Sequence, residues 1–372
     1  MRRLLLLALL AATLIACGSA KVVETYEQSV QRRLAARGLA PGSIELPFAL
    51  DDEMRRWARV QVAENGSEPS ALADELLTAL LSRSGLHLVY QSGHTGTARE
   101  VFTTKTANCL AFTHLFVGMA RELGLAVYYL RVDDLQRFDR EGDLVIASGH
   151  VTAGFGPPQQ RRILEFSELP IRDYKQIRQI DDLEAVAMFY SNRGAELLRQ
   201  GDEPGALPWL EIAVRIDPEL PQAWVNLGVA QRRAGQMPRA EASYRRALDA
   251  NPETLAAYQN LSALLQIQRR GEEAAALLAL TDRKSNRNPF SYLALGDLAL
   301  HEKRRAEAER YYRRALRLDP QSAEPLAAMG AWALAGDEVR DAKRWLRRAQ
   351  KIDAADERVT ALAANLERRA RH

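Results

Sequence analysis

The sequence predicts an α+β domain followed by an all-α solenoid of short helical repeats, carried behind an export signal. Three observations lead there. Small residues recur every 34 positions through the second half of the chain. Between 51 and 180 that period is absent, and helical apolar spacing gives way to strand-like runs. The first twenty residues have the charge and hydropathy of a targeting segment rather than of folded structure.

Arg2 and Arg3 form a positive start, and Leu4 to Ile15 is apolar except for Thr13. That stretch is shorter than the roughly 20 apolar residues a spanning helix needs. It ends in Leu14-Ile-Ala-Cys17, which resembles the lipobox of a bacterial lipoprotein. The resemblance implies a signal peptide over 1–16, a lipid on Cys17 and a membrane anchor. With Gly18 and no Asp after the cysteine, it favours the outer membrane, facing the periplasm. Residues 17–50 are expected to be a tether and N-terminal extension. The chain has 51 basic and 48 acidic residues, a net charge of +3, which is too balanced to point to nucleic acid. Its two cysteines leave Cys109 without a partner once Cys17 is lipidated, so the fold cannot rest on disulfides.

The next region, 51–180, opens with two stretches of helical spacing, 51–64 and 70–82, the second with Ser70 as a cap. Leu86-His-Leu-Val-Tyr90 is strand-like, and 98–102 is a short helix. Cys109 to Leu123 is a longer helix ended by Gly124. Three strands are expected at 126–132, 144–155 and 162–166, giving a helix packed on an antiparallel sheet. The last two are joined by Gly156-Pro-Pro-Gln-Gln160. A turn symmetric about Pro157 and Pro158 sets His150 opposite Glu165, with Cβ atoms about 4.5–5.5 Å apart. A one-residue slip would separate them to opposite faces.

Cys109, His150 and Glu165 thus form a candidate catalytic set, with Glu168 as the fallback acid. A thiolate attacks carbonyls where a thiol does not, and a helix N-terminus beside an imidazolium favours the thiolate. His150 would pass a proton to the leaving group, and Glu165 would fix the imidazole tautomer. The backbone N–H of Cys109 and the Asn108 side chain are candidates to hold the oxyanion. One free cysteine and the scattered His87, His94 and His114 lack zinc-ligand spacing, so neither metal nor cofactor is expected. Thr106-Ala-Asn-Cys-Leu-Ala-Phe-Thr, then Ala120-Arg-Glu-Leu-Gly-Leu-Ala-Val-Tyr-Tyr, then Gly149-His150 and a carboxylate fifteen residues later resemble the transglutaminase-like core over 85–170. The resemblance implies a papain-like fold and a Cys-His-acid triad. Asn108 where Gly is frequent, Val151 where an aromatic residue is common and Glu165 for Asp depart from the family's pattern.

In the second half Gly194, Gly228, Ser262, Gly296 and Gly330 lie 34 apart, as do Ala206, Ala240, Ala274, Ala308 and Ala342. Leu210, Tyr244, Leu278, Tyr312 and Leu346 follow four residues after each alanine. Small residues mark a close approach of two helices, and the large ones fill the space beside it. Pro218, Pro252 and Pro320 end the second helix of their units. This period resembles the tetratricopeptide repeat. Five repeats over 187–356 are expected, with 357–372 as a polar-faced capping helix.

The resemblance implies a concave groove lined by the first helix of each repeat, where a protein or peptide partner would bind. Asn192, Asn226 and Asn260 share one position there and are candidates to hold a peptide backbone, or else solvent-facing residues usual in such repeats. Relatives that clamp C-terminal carboxylates use Asn where this chain has Ala195, Val229, Ala263, Asp297 and Ala331, so that ligand class is not expected. The arginine pairs at 245–246, 313–314 and 347–348 read as a solvated outer face. Two functions follow. One is an envelope-anchored thiol enzyme acting on peptide or protein amides, by hydrolysis rather than crosslinking, with the repeats recruiting its partner. The alternative is a non-catalytic envelope-assembly adaptor with an inactive docking module. Removal of the repeats is expected to spare Cys109 reactivity, yet to abolish partner capture under either reading.

Overall fold

The computed structural model describes residues 24–62, 68–91, 93–141, 144–166, 176–282, 289–301 and 303–370. The segment read as an export signal, with Cys17, and Glu168 lie outside the described residues. Helix α1 (Tyr26–Ala36) opens with a capping box between Thr25 and Gln28. Its Val30 and Leu34, and the following Ile44, Leu46 and Phe48, are buried. The stretch read as a tether is therefore part of the core: Val30 and Leu34 are one helical turn apart on a single face. Asp51 caps α2 (Asp52–Gln61). Helix α3 (Pro69–Leu81) starts with Pro69 in its first turn and has no side-chain cap, so Ser70 does not fill that role.

The centre of this half is α5 (Cys109–Glu122), in which every residue from Leu110 to Ala120 is buried. Helices α2, α3 and α4 (Ala98–Thr104) and a four-stranded antiparallel sheet pack against it. The sheet runs in the order β5 (Arg162–Leu164), β4 (Leu144–Phe155), β3 (Val127–Glu141), β6 (Ile177–Ile180). Strand β6 was not among the expected strands. A short parallel pair, β1 (Val89–Tyr90) and β2 (Thr106–Ala107), leads into α5. Gly124 ends α5 with φ +77°, the left-handed conformation a helix end favours in glycine.

The β4–β5 register differs from the symmetric-turn expectation. Ala153 pairs with Leu164, Gly154 with Ile163 and Phe155 with Arg162, a displacement of two residues. The turn contains a 3-10 segment, Pro158–Gln160, which moves its centre past Pro158. His150 and Glu165 are therefore diagonal rather than directly opposed. Because side chains alternate with period two, a shift of two keeps them on one face.

The second half is a stack of five antiparallel helix pairs: α6 (Asp182–Arg199) with α7 (Glu203–Ile216), α8 (Pro221–Arg233) with α9 (Met237–Ala250), α10 (Leu255–Ile267) with α11 (Gly271–Asp282), α12 (Pro289–His301) with α13 (Arg305–Leu318), and α14 (Ala323–Ala335) with α15 (Val339–Gln350). A Cβ built on Gly194 would overlap Leu210, on Gly228 the Tyr244 ring, and on Gly296 the Tyr312 ring. The small and large positions of the period are thus two sides of one contact. At Gly330 the crowding group is Leu362 rather than the expected Leu346, since the final helix α16 (Glu357–Ala370) covers that site. Arg358 of α16 holds both oxygens of Asp297, which also accepts from the Tyr312 hydroxyl at 2.8 Å.

The two halves share one hydrophobic core running from Val30 to Ala274. Helix α6 serves both: Asp182 pairs with Arg121 at 3.0 Å, and the Tyr190 hydroxyl accepts from the Glu45 backbone at 2.9 Å. Strand β4 lies against α8 and α10, the first helices of repeats two and three.

Candidate active site

Cys109 is the first residue of α5, half-buried, with Asn108 as N-cap. The Asn108 Oδ1 accepts from the Ala111 N–H at 2.9 Å, fixing the first helical turn. Its Nδ2 donates to Thr95 Oγ1 at 2.8 Å. These two bonds hold structure at the start of α5, and the second N–H of the Asn108 amide is the donor left for the oxyanion role expected of it. The N–H of Cys109 is in the unpaired first turn of the helix and stays a donor candidate.

Strand β4 brings His150 to the start of α5, where the imidazole lies beside the Cys109 thiol and is coupled to it electrostatically. Its Nε2 lies 2.9 Å from Glu165 Oε2, and both side chains are buried, at 6% and 7% exposure. The other Glu165 oxygen accepts from the Phe166 N–H at 2.9 Å, which orients the carboxylate. With Nε2 held by Glu165, Nδ1 is the ring nitrogen left for the thiol. Burial opposes a charge on His150, but its interactions with Cys109 and Glu165 outweigh that and raise the imidazole to about 9.

Sequence reasoning missed two supporting groups. The Thr113 hydroxyl lies 2.7 Å from the Cys109 carbonyl and 3.4 Å from that of Val151, tying α5 to β4 beside the site. Its place one turn after the cysteine was the available signal. Glu196 of α6 accepts from the buried Thr95 N–H at 2.6 Å. Phe112 stacks on Phe166 with centroids 4.3 Å apart, and Tyr90 meets Phe166 at 5.9 Å, forming an aromatic run past the triad.

The other histidines are elsewhere. His114 is fully buried, 2.9 Å from the Tyr129 hydroxyl, and burial lowers it to about 3. His94 faces Arg193, and His87 is exposed in a left-handed turn. Among the described residues no group of three or more His, Cys, Asp or Glu is placed to hold a metal ion. In the repeats, Asn226 is 3% exposed and donates to Ser191, and Asn260 is wholly buried. They are packed inside the molecule, where β4 covers their helices, and are not open groove residues as expected. Asn192 is half-buried.

Comparison with known proteins bears on the second half. Two family models match, both described as tetratricopeptide repeat, at residues 191–254 and 225–289 and at 289–322. The solenoid is built of tetratricopeptide repeats. Protein O-mannosyl-transferase TMTC1 of Mus musculus is 32% identical over 92 residues, 25% of this chain, and its Homo sapiens counterpart is 29% identical over the same length. The match spans only a tenth of those proteins. Similar solved structures include Pseudomonas aeruginosa pilF, 22% identical over 50% of this chain and 86% of that one, with TM-score 0.44. PilW, a type IV pilus biogenesis factor, is 19% identical over 48% and 87%, with TM-score 0.41. A thermophilic repeat protein of Thermus thermophilus is 23% identical over 48% and 98%, with TM-score 0.42.

Proposed function

We propose that this chain is a partner-binding repeat protein of the bacterial envelope that carries a thiol acyl-transfer centre at Cys109. The observation that supports the thiol centre is the placement of Cys109, at the N-terminus of α5, beside a His150 that is itself bonded to Glu165 at 2.9 Å. In this reading residues 85–170 are a transglutaminase-like, papain-like domain. The Cys109 sulfur attacks an amide carbonyl, with charge developing on its oxygen toward the Cys109 N–H. The carbon–nitrogen bond breaks as His150 gives its proton to the leaving amine, leaving a thioester. Water then attacks the thioester as His150 takes its proton, the carbon–sulfur bond breaks, and the acid leaves the Cys109 thiolate beside the His150 imidazolium. Glu165 holds the imidazole and stabilises its cation throughout.

Iodoacetamide is the direct test, read by mass on the Cys109 peptide. Labelling proceeds well below pH 8 in the wild type and slows in His150→Ala. Labelling that rises only above pH 8 and ignores His150 would sink the enzyme reading.

A second reading, the non-catalytic adaptor, is favoured by the confinement of both family matches to the repeats. There the solenoid recruits a protein or peptide and the N-terminal half only docks. Because β4 lies against α8 and α10, this reading puts the partner on the later repeats, away from that contact. Envelope attachment is a separate part of the proposal. Radiolabelled palmitate enters the wild-type protein and not Cys17→Ser, and fractionation moves the variant out of the outer membrane. Palmitate retained in Cys17→Ser would refute the lipid anchor.

A further inference from the structure

The repeat period exposes two anomalies in its first unit. At the position of Arg193 the later repeats carry Leu227, Leu261, Leu295 and Met329. At that of Glu196 they carry Ala230, Leu264, Leu298 and Trp332. Charged residues thus stand at two positions that are otherwise apolar. Both point at the loop that precedes α4. Glu196, 7% exposed, accepts from the Thr95 N–H at 2.6 Å through Oε1. Its Oε2 lies 3.4 Å from both Arg193 Nη1 and His94 Nδ1, and Arg193 Nη1 is 2.9 Å from His94 Nδ1.

A buried carboxylate is costly unless it is paired and hydrogen-bonded. Plain repeat packing would be served by the leucine found two units later. The bond it makes is instead the first of a chain. Thr95 is 1% exposed, and its hydroxyl accepts from Asn108 Nδ2 at 2.8 Å. The other end of that amide caps the helix that starts at Cys109. A change at Glu196 therefore moves Thr95, then the cap, then the turn that presents the thiol to His150.

We infer that Glu196, on the first repeat helix, is a positioning residue for Cys109, acting through Thr95 and Asn108. The inference rests on the thiol-centre reading. It also makes the first repeat part of the site, so that deleting all the repeats costs Cys109 its reactivity, contrary to what two independent domains would show.

The test is the pH profile of iodoacetamide labelling of Cys109 in the full chain, with helical melting followed in parallel. Glu196→Leu restores the residue of repeat three, and Thr95→Val removes the hydroxyl without changing shape. Each is expected to slow labelling at pH 6.5 about tenfold, the scale of one lost buried hydrogen bond. Glu196→Gln, whose amide oxygen still accepts from Thr95, keeps most of the rate. The double variant Glu196→Leu/Thr95→Val loses no more than either single one, as members of one chain should. Wild-type rates in both single variants, or losses that multiply in the double, overturn the inference. Should Glu196→Leu not fold, Thr95→Val decides alone, and unchanged labelling overturns it. Wild-type labelling that ignores His150 is a different result: it removes the thiol centre itself.

Discussion

Glu165→Gln is expected to slow thiol-dependent acyl transfer at neutral pH by about 10²- to 10⁴-fold, the range attributed to a positioned acid–base group. The substitution keeps the shape of the side chain and removes its charge. His150 is raised to about 9 by its interactions with Cys109 and Glu165, working against burial. Without the carboxylate it loses one of the two groups that keep it cationic in a site only 6% exposed. The thiol then faces a neutral imidazole, and reactivity appears only as the medium approaches the ordinary thiol range, about pH 8.5. The burst of nitrophenolate from a p-nitrophenyl acyl ester measures this. The profile should move to alkaline pH, and a burst of wild-type size at pH 7 would refute the role.

Stability gives the same substitution a second signature. A group whose pKa is raised on folding supplies stability that is complete below its unfolded value, about 6.5 for histidine. That stability is lost as pH rises through the folded value, here about 9. The urea-unfolding difference between wild type and Glu165→Gln is therefore expected to be about 2 kcal/mol below pH 6.5 and to fade above pH 9. A difference that instead grows with pH would mean that the pair is not held as imidazolium and carboxylate.

The repeats were the most legible part of the chain because one period fixes several things together. The interval between Gly228 and Tyr244 states both that two helices meet there and which side chain fills the gap. The β4–β5 hairpin was legible only in parity. Two adjacent prolines suggest a symmetric turn, and the 3-10 segment that forms takes more residues. Alternation preserved the face, while direct opposition of His150 and Glu165 became a diagonal placement. Asn226 and Asn260 mark a different limit. Their shared position on the helix was legible, but their burial was not, since it depends on neighbours such as Ser191 of the preceding repeat helix. Arg193 and Glu196 were visible as breaks in an apolar column. What they bind was not, since His94 and Thr95 lie a hundred residues away in sequence.

Tyr244→Ala is expected to cost about 3–5 kcal/mol, the range for deleting a fully buried aromatic side chain. Tyr244 has no exposed surface and fills the gap over Gly228. The cost belongs to the ring and not to the hydroxyl, which has no hydrogen-bond partner among the described residues and whose ionisation burial strongly disfavours. Tyr244→Phe is therefore close to neutral, whereas Tyr312→Phe loses the bond to Asp297 and about 1 kcal/mol. Gly228→Ala should cost about 1–3 kcal/mol, because its methyl group must displace the ring. Repeat three indicates the compensation: Ser262 and Leu278 occupy the same two positions, with the serine hydroxyl on the Ala274 carbonyl at 3.1 Å. Gly228→Ala combined with Tyr244→Leu copies that pair, and should be less destabilised than the sum of its parts by about 1–2 kcal/mol. Urea unfolding followed by far-ultraviolet circular dichroism measures the cycle. Strict additivity would mean that the glycine and the ring are not two sides of one contact.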